Sequence, residues 1–167
     1  MPNYNWGASF AISISLVVLV GFSALAASGQ SADKVVKELQ PALKELRASE
    51  SPVYLPTWIP QWNKAQYVNV NVSPDMYLFP HGYEVALGTD KDVASCNTTF
   101  YVQGGVGRVS GKHPVKLTGG RTGYLKHALI QWNQGKYKYA IGFVTAKTTN
   151  ADMIKCANSV VLVPKSN

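Results

Sequence analysis

The run Gly104-Gly105-Val106-Gly107-Arg108-Val109-Ser110-Gly111-Lys112-His113 sets glycine-rich backbone beside two cations, the combination that cradles phosphate in nucleotide-binding loops. The spacing does not match that motif. Val106 stands five residues before Gly111 where glycine is needed, and His113 takes the place of the Ser or Thr that would reach a metal. The segment is therefore expected to be a flexible basic turn, able at most to form an anion-binding concavity. His81, His113 and His127 are scattered, without the spacing of a helical metal site, and each is expected at a surface or an interface. Asp90-x-Asp92 begins a calcium-loop pattern that lacks its Gly and Glu, so a solvated turn is expected. Serine in a Gly-x-Ser-x-Gly elbow is absent, and Asp75, Glu84, Asp90 and Asp92 have no spacing that pairs them as glycosidase carboxylates. No catalytic residue, metal site or cofactor is expected.

Charge is the remaining chemical signal. The chain has 16 Lys and Arg against 9 Asp and Glu, a net charge of +7, and no acidic residue stands between Asp92 and Asp152. That interval holds Arg108, Lys112, Lys116, Arg121, Lys126, Lys136, Lys138 and Lys147. Such a one-sign segment favours anionic partners such as phospholipid, lipopolysaccharide or acidic polysaccharide; its plain alternative is a solvated strand face. Arg108, Lys112, Lys116 and Arg121 are the candidate anion-binding residues.

The address narrows the partners. No charged side chain precedes Asp33, an apolar run spans residues 8–22, and Ala24-Leu25-Ala26 follows as a signal-peptidase site. Residues 1–26 are expected to be a cleaved signal peptide and the protein to be periplasmic or secreted; the alternative is an uncleaved transmembrane anchor, which needs roughly 20 apolar residues. Nucleic acid is a poor partner for an exported chain. Cys96 and Cys156, the only cysteines, are expected to form one disulfide, closing a loop worth about 4 kcal/mol, with two free thiols as the alternative.

The elements that must position these residues give an α+β fold, one domain of mainly antiparallel sheet with an N-terminal amphipathic helix and a short C-terminal helix. In the helical segment 27–50, Ser31 can cap a helix whose stripe is Val35, Leu39, Leu43 and Leu46, interrupted by Pro41. Residues 51–167 form the β-rich domain. Pro52-Val53-Tyr54-Leu55-Pro56 reads as an extended entry segment, and strands are expected at 67–72, 83–87, 99–102 and 115–117. Residues 125–132 and 136–144 should form a hairpin around Asn133-Gln134-Gly135, with Trp132 facing Tyr137, Ile130 facing Tyr139 and Ala128 facing Ile141. Its aromatic row suits a packed core better than a sugar platform. Asn150 can cap a last helix through Met153, Ile154, Ala157 and Val160, which carries Cys156.

Pro52-Val53-x-Leu55-Pro56, Gly119-Gly120-x-x-Gly123-Tyr124, Ile130-x-Trp132-x-x-Gly135-x-Tyr137-x-Tyr139-x-Ile141-Gly142 and Ala157-Asn158-Ser159 resemble a group of exported, cyanobacterial-type bacterial proteins of unknown function. More loosely, they are similar to the small domain of unknown function in lipoproteins and extracytoplasmic anti-sigma-factor regions. Members of the group carry a close cysteine pair near the position of Cys96, whereas Asn97-Thr98-Thr99-Phe100-Tyr101 here lacks the second one. The resemblance implies fold and export, and no activity. The function expected is an exported binding or accessory domain; the alternatives are a cell-envelope hydrolase using a carboxylate with His81 or His127, and a purely structural envelope protein.

Overall fold

Alternating valine and asparagine in Tyr67–Ser73 (β2) sends Val68, Val70 and Val72 to one face and leaves Asn69 and Asn71 exposed. In a computed structural model, which describes residues 32–60, 65–89, 98–144 and 147–165, this strand opens a seven-stranded antiparallel sheet. The chain first makes Val53–Pro56 (β1), then β2, Gly82–Gly88 (β3), Thr98–Val106 (β4), Pro114–Lys116 (β5), Thr122–Lys126 (β6), Leu129–Gln134 (β7) and Tyr137–Phe143 (β8). Helix Asn150–Asn158 (α2) and strand Val160–Val163 (β9) close it. The large sheet has the order β2-β3-β4-β8-β7-β6-β5, and β1 pairs with β9 in a second, two-stranded sheet. The architecture is mainly antiparallel sheet with a few short helices.

The register writes three rows across the inner face. Val70, Val85, Val102, Ile141, Ile130 and Leu125 are successive cross-strand partners, so branched side chains run unbroken over six strands. A second row runs Val72, Tyr83, Gly104, Tyr139, Trp132, Gly123 and Val115. Gly104 is needed there: a Cβ on it would stand 2.6 Å from the Tyr83 ring and 2.7 Å from the Tyr139 ring. The third row joins Val68, Leu87, Phe100 and Phe143, the last two rings meeting edge-on at 5.1 Å. Gly104 and Gly105 thus lie within β4 instead of opening a turn, because a Cβ on Gly104 would meet two rings and one on Gly105 would stand 2.6 Å from the Phe79 carbonyl oxygen.

Over the aromatic row lies β1. The buried Tyr83 hydroxyl donates to Tyr54 O and accepts from Tyr54 N–H, both at 2.9 Å, and the Tyr139 hydroxyl donates to Pro52 O at 3.2 Å. Burial pushes both phenols far above their usual range, which keeps them protonated and able to donate. The entry segment is therefore a strand, held by side chains on one side and by the β9 ladder on the other.

Helices cover the rest of the core. Of the expected N-terminal amphipathic helix, Ser31 and everything before it lie outside the described residues. The described part is a 3-10 turn at Ala32–Lys34, a 3-10 stretch at Lys37–Ala42 that contains Pro41, and a single α turn, Leu43–Leu46 (α1). Val35, Leu39, Ala42 and Leu46 are buried in the same apolar cluster as the sheet rows, and Leu43 is half-buried against it. At the other end, the cap of α2 is Thr149 and not Asn150: the Thr149 hydroxyl accepts from Asp152 N–H while the Asp152 carboxylate accepts from Thr149 N–H. Those bonds hold the Asp152 carboxyl below its ordinary value. Val160 belongs to β9 and not to the helix.

The expected hairpin divides differently. Residues 125–132 are not one strand, since His127 and Ala128 turn the chain between β6 and β7, His127 at φ 52°. The β7–β8 turn is the two-residue Gly135-Lys136, with Gly135 at φ 62°, so Gln134 faces Tyr137, Trp132 faces Tyr139 and Ile130 faces Ile141. Every pairing is moved by two residues from the expectation. An even shift preserves the face, so Trp132 is still buried, stacked on Tyr139 at 5.5 Å.

Two substitutions check this core by denaturant unfolding. Tyr83→Phe leaves the Tyr54 N–H and C=O without their shared partner and should cost about 1–3 kcal/mol. Trp132→Ala should cost about 3–5 kcal/mol; a loss under about 1 kcal/mol would place the ring at the surface.

Candidate functional site

The centre of the inner face is filled, with a pocket of about 580 Å³ at its β2 edge among Lys37, Glu38, Glu45, Val68 and Val70; the outer face holds a larger one. Its central strand β8 presents small residues there, Ala140 and Gly142, and the Tyr101 ring occupies the space over Gly142, where a Cβ would stand 2.0 Å from the ring. Burial raises the Tyr101 phenol, with Glu84 adding to the effect. The Gln103 side-chain amide donates to the Glu84 carboxylate beside it. Residues 107–113 cross this face from β4 to β5. Asn133 holds them, its Oδ1 accepting from Val109 N–H and its Nδ2 donating to Val109 O, each at 2.8 Å. Gly111 then packs against Tyr124, and Leu125 N–H donates to His113 O at 3.1 Å.

This crossing builds a groove of about 710 Å³. One wall is Ser110, Lys112 and His113 from the crossing segment; the other is Tyr124, Lys126 and His127 from β6 and its turn, with Gln131 and Asn150 beside them. Among the described residues no carboxylate lines it. The volume is that of a site for a small molecule or a few linked sugar rings, and its donors are two ammonium groups, two imidazoles, a phenol and amides. Such a set can hold an anion.

The four candidate anion-binding residues are not brought together. Lys112 lines the groove; Arg108 is exposed where the crossing segment leaves β4, and Lys116 is exposed on edge strand β5. Arg121 is structural. Its Nε donates to Thr118 O at 3.0 Å, its Nη2 to Thr118 Oγ1 and Ala157 O, each at 3.2 Å, and its guanidinium lies 5.7 Å from the Trp132 ring centre. Asn158 Oδ1 accepts from Thr118 N–H at 2.7 Å, so Arg121 and Asn158 together tie the β5–β6 connection to the C-terminal turn of α2. Desolvation lowers the Arg121 pKa, and Tyr54 opposes that shift.

Sequence reasoning noted Lys126, His113 and His127 without joining them. The signal that joins them is the β5–β6 hairpin, in which Pro114 faces Tyr124 and so sets His113 beside Leu125. His81 stands elsewhere, with Nδ1 2.8 Å from Glu50 Oε2 in an exposed pair, while the Ser51 hydroxyl donates to the His81 carbonyl. Cys156 is a buried thiol on α2, raised by desolvation; Cys96 lies outside the described residues, as do Asp90 and Asp92. Among the described residues no cluster of three His, Cys, Asp or Glu is placed to hold a metal ion, and no helix is long and apolar enough to cross a membrane. The apolar run of residues 8–22 lies outside them.

Arg121→Ala should lower stability by about 1–3 kcal/mol, read by denaturant unfolding, through the unpaired Ala157 and Thr118 carbonyls. No family model, no curated protein and no solved structure matches this chain.

Proposed function

We propose that the protein is an exported binding or accessory domain that holds anionic groups of cell-envelope polymers in the groove between residues 110–113 and the β6–β7 turn. The observation that carries this reading is a concave site with Lys112, His113, Lys126 and His127 on its walls and no carboxylate among its described lining residues. Two ammonium charges attract an anion, and Tyr124 offers a ring for a sugar face. Acidic polysaccharide suits a groove of this size, and the anionic headgroup of a lipid is the second source of the same chemistry. We also propose membership of the exported bacterial group that the motifs resemble, with residues 1–26 as leader and the amphipathic N-terminal helix packed on the core. Supporting this, the motif residues sit where packing demands them: Val53 and Leu55 in β1, Gly123 beside Leu117, Trp132 and Tyr139 in the aromatic row, Asn158 against Thr118.

Titration calorimetry with a uronic-acid polysaccharide tests the groove. Binding at low ionic strength should weaken with added salt, and Lys112→Glu combined with Lys126→Glu should lower affinity about tenfold or more. Equal binding by the variant and the parent, both folded, would remove the groove from recognition and favour a structural role.

A further inference from the structure

At the end of the sheet away from the groove, residues 74–81 connect β2 to β3 and hold two apolar side chains in solvent. Tyr77 is 96% exposed and Leu78 60%. The loop is braced: Phe79 N–H donates to Met76 O at 3.2 Å, His81 N–H to Pro74 O at 3.0 Å, and Val106 N–H to Pro80 O at 2.8 Å. Phe79 itself is buried, with the Lys138 ammonium 4.9 Å from its ring centre. A braced loop that buries one apolar residue and projects the next two is built to present them.

Cations surround that presentation. Gly107 N–H donates to Lys136 O at 3.0 Å, which sets Arg108 beside the β7–β8 turn, and Gly107 also packs on the Lys138 side chain. Lys136, Lys138 and Arg108 therefore share this end with the loop, and Lys165 adds its ammonium through a bond to Glu50 O at 3.2 Å. The acids here are Asp75 on the loop and Glu50, whose carboxylate faces His81. The β6–β7 turn of the groove and the β7–β8 turn lie at opposite ends of β7, so the two surfaces are separate.

We propose that this end seats on an anionic lipid bilayer, with Tyr77 and Leu78 entering the headgroup–acyl boundary and Arg108, Lys136 and Lys138 meeting lipid phosphates. Tyrosine has an apolar ring and a polar tip suited to that boundary, and basic residues near an anionic surface add attraction that salt screens. Two projecting side chains with cations around them match a deformable charged surface better than the large complementary area a protein partner needs.

The test uses the full chain carrying Tyr77→Trp, with vesicles of phosphatidylglycerol and phosphatidylcholine whose acyl chains are brominated. Because the readout is local, membrane binding by any other segment does not register in the added emission. Relative to the parent, the emission of the new ring should be quenched on mixed vesicles and not on pure phosphatidylcholine. Adding Arg108→Glu and Lys136→Glu should abolish the quenching, whereas Lys112→Glu with Lys126→Glu should leave it unchanged. Unquenched emission, quenching equal on neutral vesicles, or loss of quenching with the groove pair alone would each overturn the proposal, the last by placing lipid at the groove.

Discussion

Everything in this fold is arranged around one buried hydroxyl. Tyr83 Oη both donates to and accepts from the backbone of Tyr54, doing for one residue of β1 what a neighbouring strand would otherwise do. A strand of four residues paired only with β9 is marginal by itself. Anchored on Tyr83 and Tyr139, it becomes the lid that closes the core over the aromatic row, and it fixes the level at which α2 and the β9 strand must lie. The anchoring reaches the chain ends through Ser159, whose carbonyl accepts from Thr57 N–H and Oγ1 and whose hydroxyl accepts from Trp58 N–H. Gly104 makes the arrangement possible by leaving room between the two phenols.

Filling the centre of the inner face leaves the outer face for irregular chain to cross. With rings and branched chains committed to the inner face, the outer face holds small and polar residues, and the connection from β4 to β5 must run across it because those strands are at different places in the sheet order. That route makes the groove. Asn133 carries much of the geometry, since its two bonds to Val109 replace the ladder partner that an irregular segment lacks. The basic walls of the groove thus follow from topology: residues 110–113 and 124–127 are neighbours only because β5 and β6 form a hairpin at the sheet edge.

Periodicity in the sequence reported the face of each residue far better than its partner. Val68, Val70 and Val72 in alternation, and the shared face of Ile130, Trp132, Tyr139 and Ile141, are legible because side-chain direction has a period of two whatever the register. Partners depend on turn length, and Gly135 is compatible with either a two- or a three-residue loop, so the pairing of Trp132 was not readable from local chemistry. His127 hid a second turn, because a positive φ at a non-glycine residue leaves no compositional trace. Gly104-Gly105 misled in the opposite way, as glycine serves ring packing inside a strand as readily as it serves a turn. For the site, the excess of positive charge was legible and its grouping was not.

That grouping matters for how the charge can act. The one-sign interval from Arg108 to Lys147 looks continuous along the chain, yet the sheet deals its members to different surfaces: Lys112 and Lys126 to the groove, Arg108, Lys136 and Lys138 to the far end, Lys116 to the edge strand, and Arg121 to the underside of α2. Surface charges farther apart than about 8–10 Å are largely screened from each other at physiological salt, so these groups behave as separate sites and not as one field. A long anionic polymer or a membrane could still engage more than one of them, because linking weak contacts raises the effective concentration of the next. The cations therefore form separate surfaces whose geometry is set by the strands between them.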